Sequence, residues 1–296
     1  METKIKNVYT IVSMNGYFLL DKESGYTSND VDCIIRKKFS LRKAGHLGTL
    51  DPFATGLLIV GVNDATRLMS LFEDDEKSYI ATLQLGKTTD TLDCDGTIIQ
   101  EEEVRSYSLE EIKDVIASFL GKQKQEVPLY SAKHIDGKRA YELAREKRKV
   151  KAPIIDIDVK KIALLQYKDQ EITFSVTVSK GTYIRSLGRD IALRLGTIGY
   201  LSSLRRTSVN QFEVINAKKL VDLSADDLLS IEEVFPQIPT FVCDKTQAKR
   251  VFNGNDLHLD SQDENYLFMK VEDKILALYR QDRPHHYISY RGFSRE

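Results

Sequence analysis

The run Gly45-His46-Leu47-Gly48-Thr49-Leu50-Asp51-Pro52-Phe53-Ala54-Thr55-Gly56, leading into Leu57-Leu58-Ile59-Val60-Gly61-Val62, constrains this chain more than any other segment. Pro52 pushes Asp51 out of the α region towards extended backbone. Gly45, Gly48 and Gly56 admit angles or close approaches that a side chain would block. The apolar stretch that follows reads as a buried strand. Together they predict one carboxylate on a stiff loop beside a core strand, a setting in which rigid scaffolds often carry function. An isolated Asp-Pro is more often a turn in which the aspartate bonds its own backbone. The flanking glycines, His46 and the strand argue for more than a turn, without naming a reaction.

The surrounding pattern mixes strands and helices with no βαβ rhythm, which predicts the α+β class. Tyr17 to Leu20 reads as a strand turning at Asp21 to Gly25. Ser28 is read as the cap of a helix with Val31, Ile34, Ile35 and Phe39 on one face. Tyr79 to Leu85 reads as a strand. Ser108-Leu109-Glu110-Glu111 has the form of a capping box before a helix that carries Ile112, Val115, Ile116 and Phe119 and ends at Gly121. Residues 154–165 and 171–179 read as strands, and in the second Ile172, Phe174, Val176 and Val178 alternate with polar neighbours. Ile184 to Leu195 reads as a helix stopped by Gly196, and a further helical stretch is expected near 217–231. Pro236-Gln237-Ile238-Pro239 marks a linker, Asn253-Gly254 a turn, and Tyr266 to Tyr279 a hairpin. The expected division is residues 1–235 and 236–296, the second being small for an independent domain.

No apolar run is long enough to span a bilayer, and the first residues lack the apolar core of a signal peptide. Cys33, Cys94 and Cys243 are far apart, which argues against a zinc site or a disulfide framework. A reducing cytoplasm fits these features. The formal net charge of −1 argues against blanket nucleic-acid binding, but distribution matters more than the sum. Arg36-Lys37-Lys38 with Arg42-Lys43, and the stretch Lys133 to Lys151, are locally basic and flank the Asp51 run in sequence, which suits phosphate contacts.

The Asp51 run resembles the catalytic motif of the bacterial tRNA pseudouridine-55 synthases, the TruB family. Lys77-Ser78-Tyr79 is similar to that family's Lys-x-Tyr segment, and Thr89-Asp90-Thr91-Leu92-Asp93-Cys94-Asp95-Gly96 to its Thr-Asp-Thr-x-Asp-x-x-Gly block. Tyr130-Ser131-Ala132 with Gly137 to Arg145, then Ser179 to Leu187 and Leu204-Arg205-Arg206-Thr207, continue the match in the family's order. The resemblance implies a largely antiparallel mixed sheet flanked by helices, followed by a small β-rich PUA-like C-terminal domain. It implies isomerisation of uridine 55 in the tRNA T-loop with no cofactor and no metal, by a cytoplasmic monomer that needs no protein partner and no membrane.

The resemblance makes Asp51 the central carboxylate; attack at C1′, addition at C6 and proton removal towards a glycal all remain open. A nearby cation favours an ionised carboxylate, and Arg185 matches that partner. Tyr79 matches the aromatic that stacks on the flipped uracil. Tyr183 and Leu204 match positions lining the target uridine, His46 the residue that fills the vacated gap, and Lys22 a basic residue near the pocket mouth. Asp93 either contacts RNA or caps its own loop. Two departures fall in the stretch expected to grip RNA: His134 stands where the family has lysine, and Glu146-Lys147-Arg148-Lys149 lacks the usual glycine. Rival readings are a synthase for other stem-loops, an RNA-folding factor, and a small-molecule enzyme with an aspartate nucleophile. The last is disfavoured by the basic stretch.

Overall fold

The computed structural model describes residues 14–72, 76–128, 130, 134–135, 138–139, 152–260 and 262–293. Its body is a nine-stranded sheet. The strands are β1 (Gly16–Lys22), β2 (Ala44–Leu47), β3 (Thr55–Val62), β4 (Lys77–Leu85), β5 (Gly121–Glu126), β6 (Ile154–Lys168), β7 (Glu171–Val178), β8 (Gly199–Val209) and β9 (Phe212–Glu213). They lie in the order β1-β3-β8-β4-β7-β6-β5, with β2 on β3 and β9 on β8. β3 and β8 run parallel, and the other pairs are antiparallel. The helices are α1 (Ser28–Lys38), α2 (Leu109–Ala117), α3 (Ile184–Arg194), α4 (Ile231–Val234) and α5 (Lys245–Phe252). This is the α+β class read from the sequence.

The unbroken apolar character of β3 follows from its position, because both of its faces are covered. Leu58 and Val60 pack with Phe18 and with Val31 and Ile35 of α1. Leu57 and Ile59 face the other way, into a cluster with Tyr17, Leu68, Phe268 and Leu278. Phe268 and Leu278 belong to the C-terminal five-stranded sheet. Its strands are β10 (Thr240–Val242), β11 (Leu257–His258), β12 (Tyr266–Val271), β13 (Lys274–Arg283) and β14 (His286–Gly292). The opposite face of that small, PUA-like unit buries Leu267, Met269 and Tyr279 against Ala248 and Val251 of α5. The C-terminal sheet therefore has a core of its own and shares a second one with the body.

Three local expectations are corrected. Thr27, not Ser28, caps α1, through a reciprocal box with Asp30. Ser28 is buried, and its hydroxyl instead donates to the Leu50 carbonyl at 3.0 Å and accepts from the Leu50 amide at 2.9 Å. Only half of the Ser108 box forms: Ser108 accepts from the Glu111 amide, while the Glu111 carboxylate turns to Arg105. The helix expected near 217–231 does not form. That segment lies along β1, whose edge satisfies its backbone: Tyr17 and Leu229 exchange amide–carbonyl bonds of 2.9 Å, and the Lys218 amide donates to the Leu19 carbonyl at 3.0 Å. Sheet pairing outweighs helical propensity where an open strand edge is adjacent. The basic stretch Lys133 to Lys151 lies outside the described residues, apart from the paired backbones of His134–Ile135 and Lys138–Arg139. Among the described residues, no helix is long and apolar enough to cross a membrane.

Gly56 opens β3 with φ +103°, and a Cβ there would meet the Arg206 carbonyl oxygen at 2.2 Å. Both the backbone angle and the contact exclude a side chain. Gly56→Ala is expected to lower unfolding free energy by about 2 kcal/mol or more, measured by urea denaturation. An unchanged midpoint would contradict this close approach.

Candidate active site

The loop between β2 and β3 holds Asp51 at the mouth of a cleft of roughly 340 Å³. Arg185, in the first turn of α3, pairs with it. Its Nε lies 2.9 Å from Asp51 Oδ2, and its Nη2 donates to Asp51 Oδ1 at 3.0 Å. The planar fork thus grips both carboxylate oxygens, a geometry lysine cannot reproduce. The Arg185 side chain is 5% exposed and that of Asp51 is 32% exposed, so the cation is packed away while the carboxylate reaches the cleft.

The rest of the guanidinium is satisfied as well. Nη1 donates to the Thr91 carbonyl at 2.8 Å, and Nη2 to the Tyr130 carbonyl at 2.9 Å. Asp93 Oδ2 sits 3.2 Å from Nη1. Arg185 therefore joins two carboxylates from separate loops. Asp93 also caps its loop, accepting from the Thr91 hydroxyl at 2.6 Å and the Asp95 amide at 3.1 Å. Burial pushes its carboxyl above the usual range, opposed by the Thr91 hydrogen bond and the Arg185 charge. The sequence weighed Asp93 as an RNA contact or a loop cap. The cap is present, and Arg185 is a further partner that the local sequence does not reveal.

Tyr79, Tyr183 and Leu204 line the same cleft as Asp51 and Arg185. Tyr79 lies on β4 opposite Val176 on one side and Arg206 on the other. Leu204 lies on β8 opposite Ala81. The Tyr183 backbone is held by the buried Gln125 side chain, which accepts from the Tyr183 amide at 2.8 Å and donates to its carbonyl at 3.1 Å. Lys77, Lys180 and Arg206 add positive charge to the lining. A cleft with a fixed carboxylate, an aromatic ring and several cations can bind a phosphate-bearing ring compound and attack it or remove a proton. Among the described residues, no group of three or more His, Cys, Asp and Glu side chains is placed to hold a metal ion.

Two of the residues singled out in the sequence, His46 and Lys22, are not among those lining the cleft. His46, on β2, bonds Asp32 of α1 and Thr49. Lys22, at the end of β1, is buried, and its ammonium donates to the carbonyls of Glu23 at 3.0 Å, Tyr26 at 2.7 Å and Pro52 at 3.2 Å. The residue expected near the pocket mouth is thus buried and tied to the Asp51-Pro52 loop. Arg206, wholly buried, is tied to the same run: Nε donates to the Leu57 carbonyl at 2.7 Å and Nη2 to the Gly48 carbonyl at 3.0 Å.

Burial pushes the Lys22 ammonium down to about 8, with the charges of Asp51 and Asp95 pulling the other way. Below that pH, both folded and unfolded chains hold the proton. Between about 8 and the ordinary 10.5, the folded chain has released it and the unfolded chain has not, so this group's contribution to stability rises with pH. Wild type should gain roughly 1–3 kcal/mol relative to Lys22→Met across that window, followed by denaturant titration at each pH. A constant or falling difference would contradict the assignment.

The comparisons with known proteins follow the same lines. Residues 36–184 match the family model described as TruB family pseudouridylate synthase (N terminal domain). A protein of Acholeplasma laidlawii named tRNA pseudouridine synthase B is 38% identical over 94% of this chain and 99% of its own length. Its namesake in Thermosipho melanesiensis is 38% identical over 90% of this chain and 88% of its own. In three dimensions, a chain from a solved Cbf5-Nop10-Gar1 complex superposes with a TM-score of 0.66 at 25% identity, covering 94% of this chain and 84% of that one. A chain of an H/ACA RNP bound to a substrate RNA gives 0.68 at 21% identity, over 97% of this chain and 87% of that one, which speaks to the fold alone. This chain belongs to the TruB family of pseudouridylate synthases.

Proposed function

We propose that this protein isomerises uridine 55 in the T-loop of tRNA to pseudouridine, with Asp51 as the catalytic carboxylate. The observation that carries the reading is the bidentate grip of Arg185 on Asp51 at the mouth of a cation-lined cleft. Family membership and relatives named for tRNA pseudouridine synthesis support it. The target base is swung out of the RNA stack into the cleft, because its glycosidic bond is out of reach inside the T-loop. The C1′–N1 bond breaks, the uracil turns, and C1′ joins C5. The proton on C5 is lost and N1 gains one, so the reaction is a pure isomerisation that requires no redox partner.

Asp51 acts at the sugar or the base, as nucleophile or proton acceptor, and Arg185 keeps it aligned. Tyr79 stacks on the extruded uracil, a contact worth about 1–3 kcal/mol per base. Tyr183 and Leu204 form the walls against the uridine, and His46 supports the gap that the base leaves. Lys22 serves the RNA indirectly, by holding the loop beneath Asp51. The polymer is gripped as the T-arm by the basic stretch 133–151 and the exposed basic end of α1. In this reading the protein is a cytoplasmic monomer, with the chemistry in residues 1–235 and the PUA-like residues 236–296 as an RNA-facing accessory. The unpaired state of Cys33, Cys94 and Cys243 accords with a reducing compartment.

Tritium release from tRNA transcripts carrying [5-³H]uridine tests this. Wild type is expected to release one equivalent per tRNA, and none from a transcript in which only position 55 is changed. Release that survives that change, or no release at all, would overturn the assignment. Arg185→Lys, which keeps the charge but loses the fork, is expected to slow turnover on the order of a hundredfold. Near-normal turnover in that variant would show that bidentate alignment is dispensable.

A further inference from the structure

Position 32 falls on the buried side of α1, between Val31 and Ile35, where an apolar side chain would pack; it is an aspartate. Asp32 Oδ2 lies 2.7 Å from Nδ1 of His46. Its other oxygen, Oδ1, is buried and has no hydrogen-bond partner among the described residues. A buried carboxylate with one oxygen unsatisfied costs stability, so packing does not account for it. The polar group that Asp32 does meet is the histidine of the Asp51 motif.

The geometry points to Asp32 as a positioning residue that fixes the orientation and tautomer of His46 for its place in the gap that the extruded base leaves. A carboxylate can only accept, so the proton of the neutral ring sits on Nδ1. That leaves Nε2 as an acceptor, 3.3 Å from the Thr49 hydroxyl that donates to it, and Thr49 lines the cleft. The His46 backbone is already fixed by β2 pairing, opposite Val60 of β3. Ring rotation is the remaining freedom, and Asp32 removes it. Which ring nitrogen is protonated is set by what the other one meets; here α1, rather than the RNA, makes that choice before binding. The inference rests on the pseudouridine-synthase reading for the purpose of His46, but not for the pairing itself.

Two measurements test it separately. Imidazole ¹⁵N–¹H correlation spectra of the wild-type protein at alkaline pH are expected to show His46 as the Nδ1–H tautomer, and the opposite tautomer would overturn the pairing whatever the enzyme does. In single-turnover modification of tRNA, Asp32→Val is expected to be slower on the order of tenfold, by analogy with carboxylates that orient metal-bound histidines, with tRNA affinity changed less than about twofold. Asp32→Asn, which keeps an acceptor for Nδ1–H, should recover most of that rate. In a His46→Ala background, adding Asp32→Val should cost less than about twofold. An equal loss with and without His46 would make Asp32 a fold element only and defeat the inference. Should Asp32→Val not fold, the spectra of wild type and Asp32→Asn decide. A wild type inactive on tRNA would sink the functional reading while leaving the spectra to judge the pair.

Discussion

One buried guanidinium organises the site. Arg185 binds a carboxylate from the β2–β3 loop, a second from the 89–96 loop, and carbonyls of Thr91 and Tyr130, so four chain segments including its own helix converge on one side chain. Burying a charge is costly unless it is paired and its donors are used. Here the donors are used and the charge is shared between Asp51 and Asp93. The same contacts that make the cation tolerable inside the protein place one carboxylate at the cleft mouth. Fold and site are therefore held by one interaction: removing it would release Asp51 and also leave a buried Asp93 short of its partner.

A second layer keeps the Asp51 loop from relaxing. Lys22 holds the Pro52 carbonyl, Arg206 the Gly48 carbonyl, and Ser28 both backbone groups of Leu50. Each comes from a different element, and each spends its donors on main-chain oxygens rather than on solvent. The glycines at 48 and 56 turn the chain with φ of +69° and +103°, and Gly56 lets β3 approach the Arg206 backbone. The loop is thus pinned at several points on either side of the carboxylate, which suits a group that must meet a base only when that base is swung out of its stack.

Much of this was legible in the sequence, for reasons that differ from one residue to the next. β3 announces itself as an unbroken apolar run because both of its faces are covered, and β7 as an alternation because its buried and part-buried positions alternate. The motif resemblance brought Asp51, Tyr79, Tyr183, Arg185 and Leu204 together, and the cleft contains all five. Local pattern could not reveal which partner a charged residue finds across the fold. Lys22 reads as a basic residue near the pocket mouth until β1 and the Asp51 loop are seen to enclose it. Asp93 reads as an RNA contact or a loop cap, and its pairing with Arg185 appears only when α3 is placed beside it. Asp32 sits in the apolar stripe of α1, and that misplaced charge was a signal available in the sequence. The segment 217–231 carried helical propensity that the open edge of β1 overrode, which no window of neighbouring residues contains.

The central claim is that the carboxylate held by Arg185 performs the chemistry rather than merely completing an ion pair. Single-turnover conversion of uridine-55-containing tRNA by Asp51→Asn, measured alongside tRNA affinity, tests it most directly, because asparagine keeps the shape and a hydrogen-bond acceptor for Arg185 while losing the charge. No detectable pseudouridine and an affinity close to that of wild type are expected. Pseudouridine formed by Asp51→Asn at a rate within tenfold of wild type would contradict it.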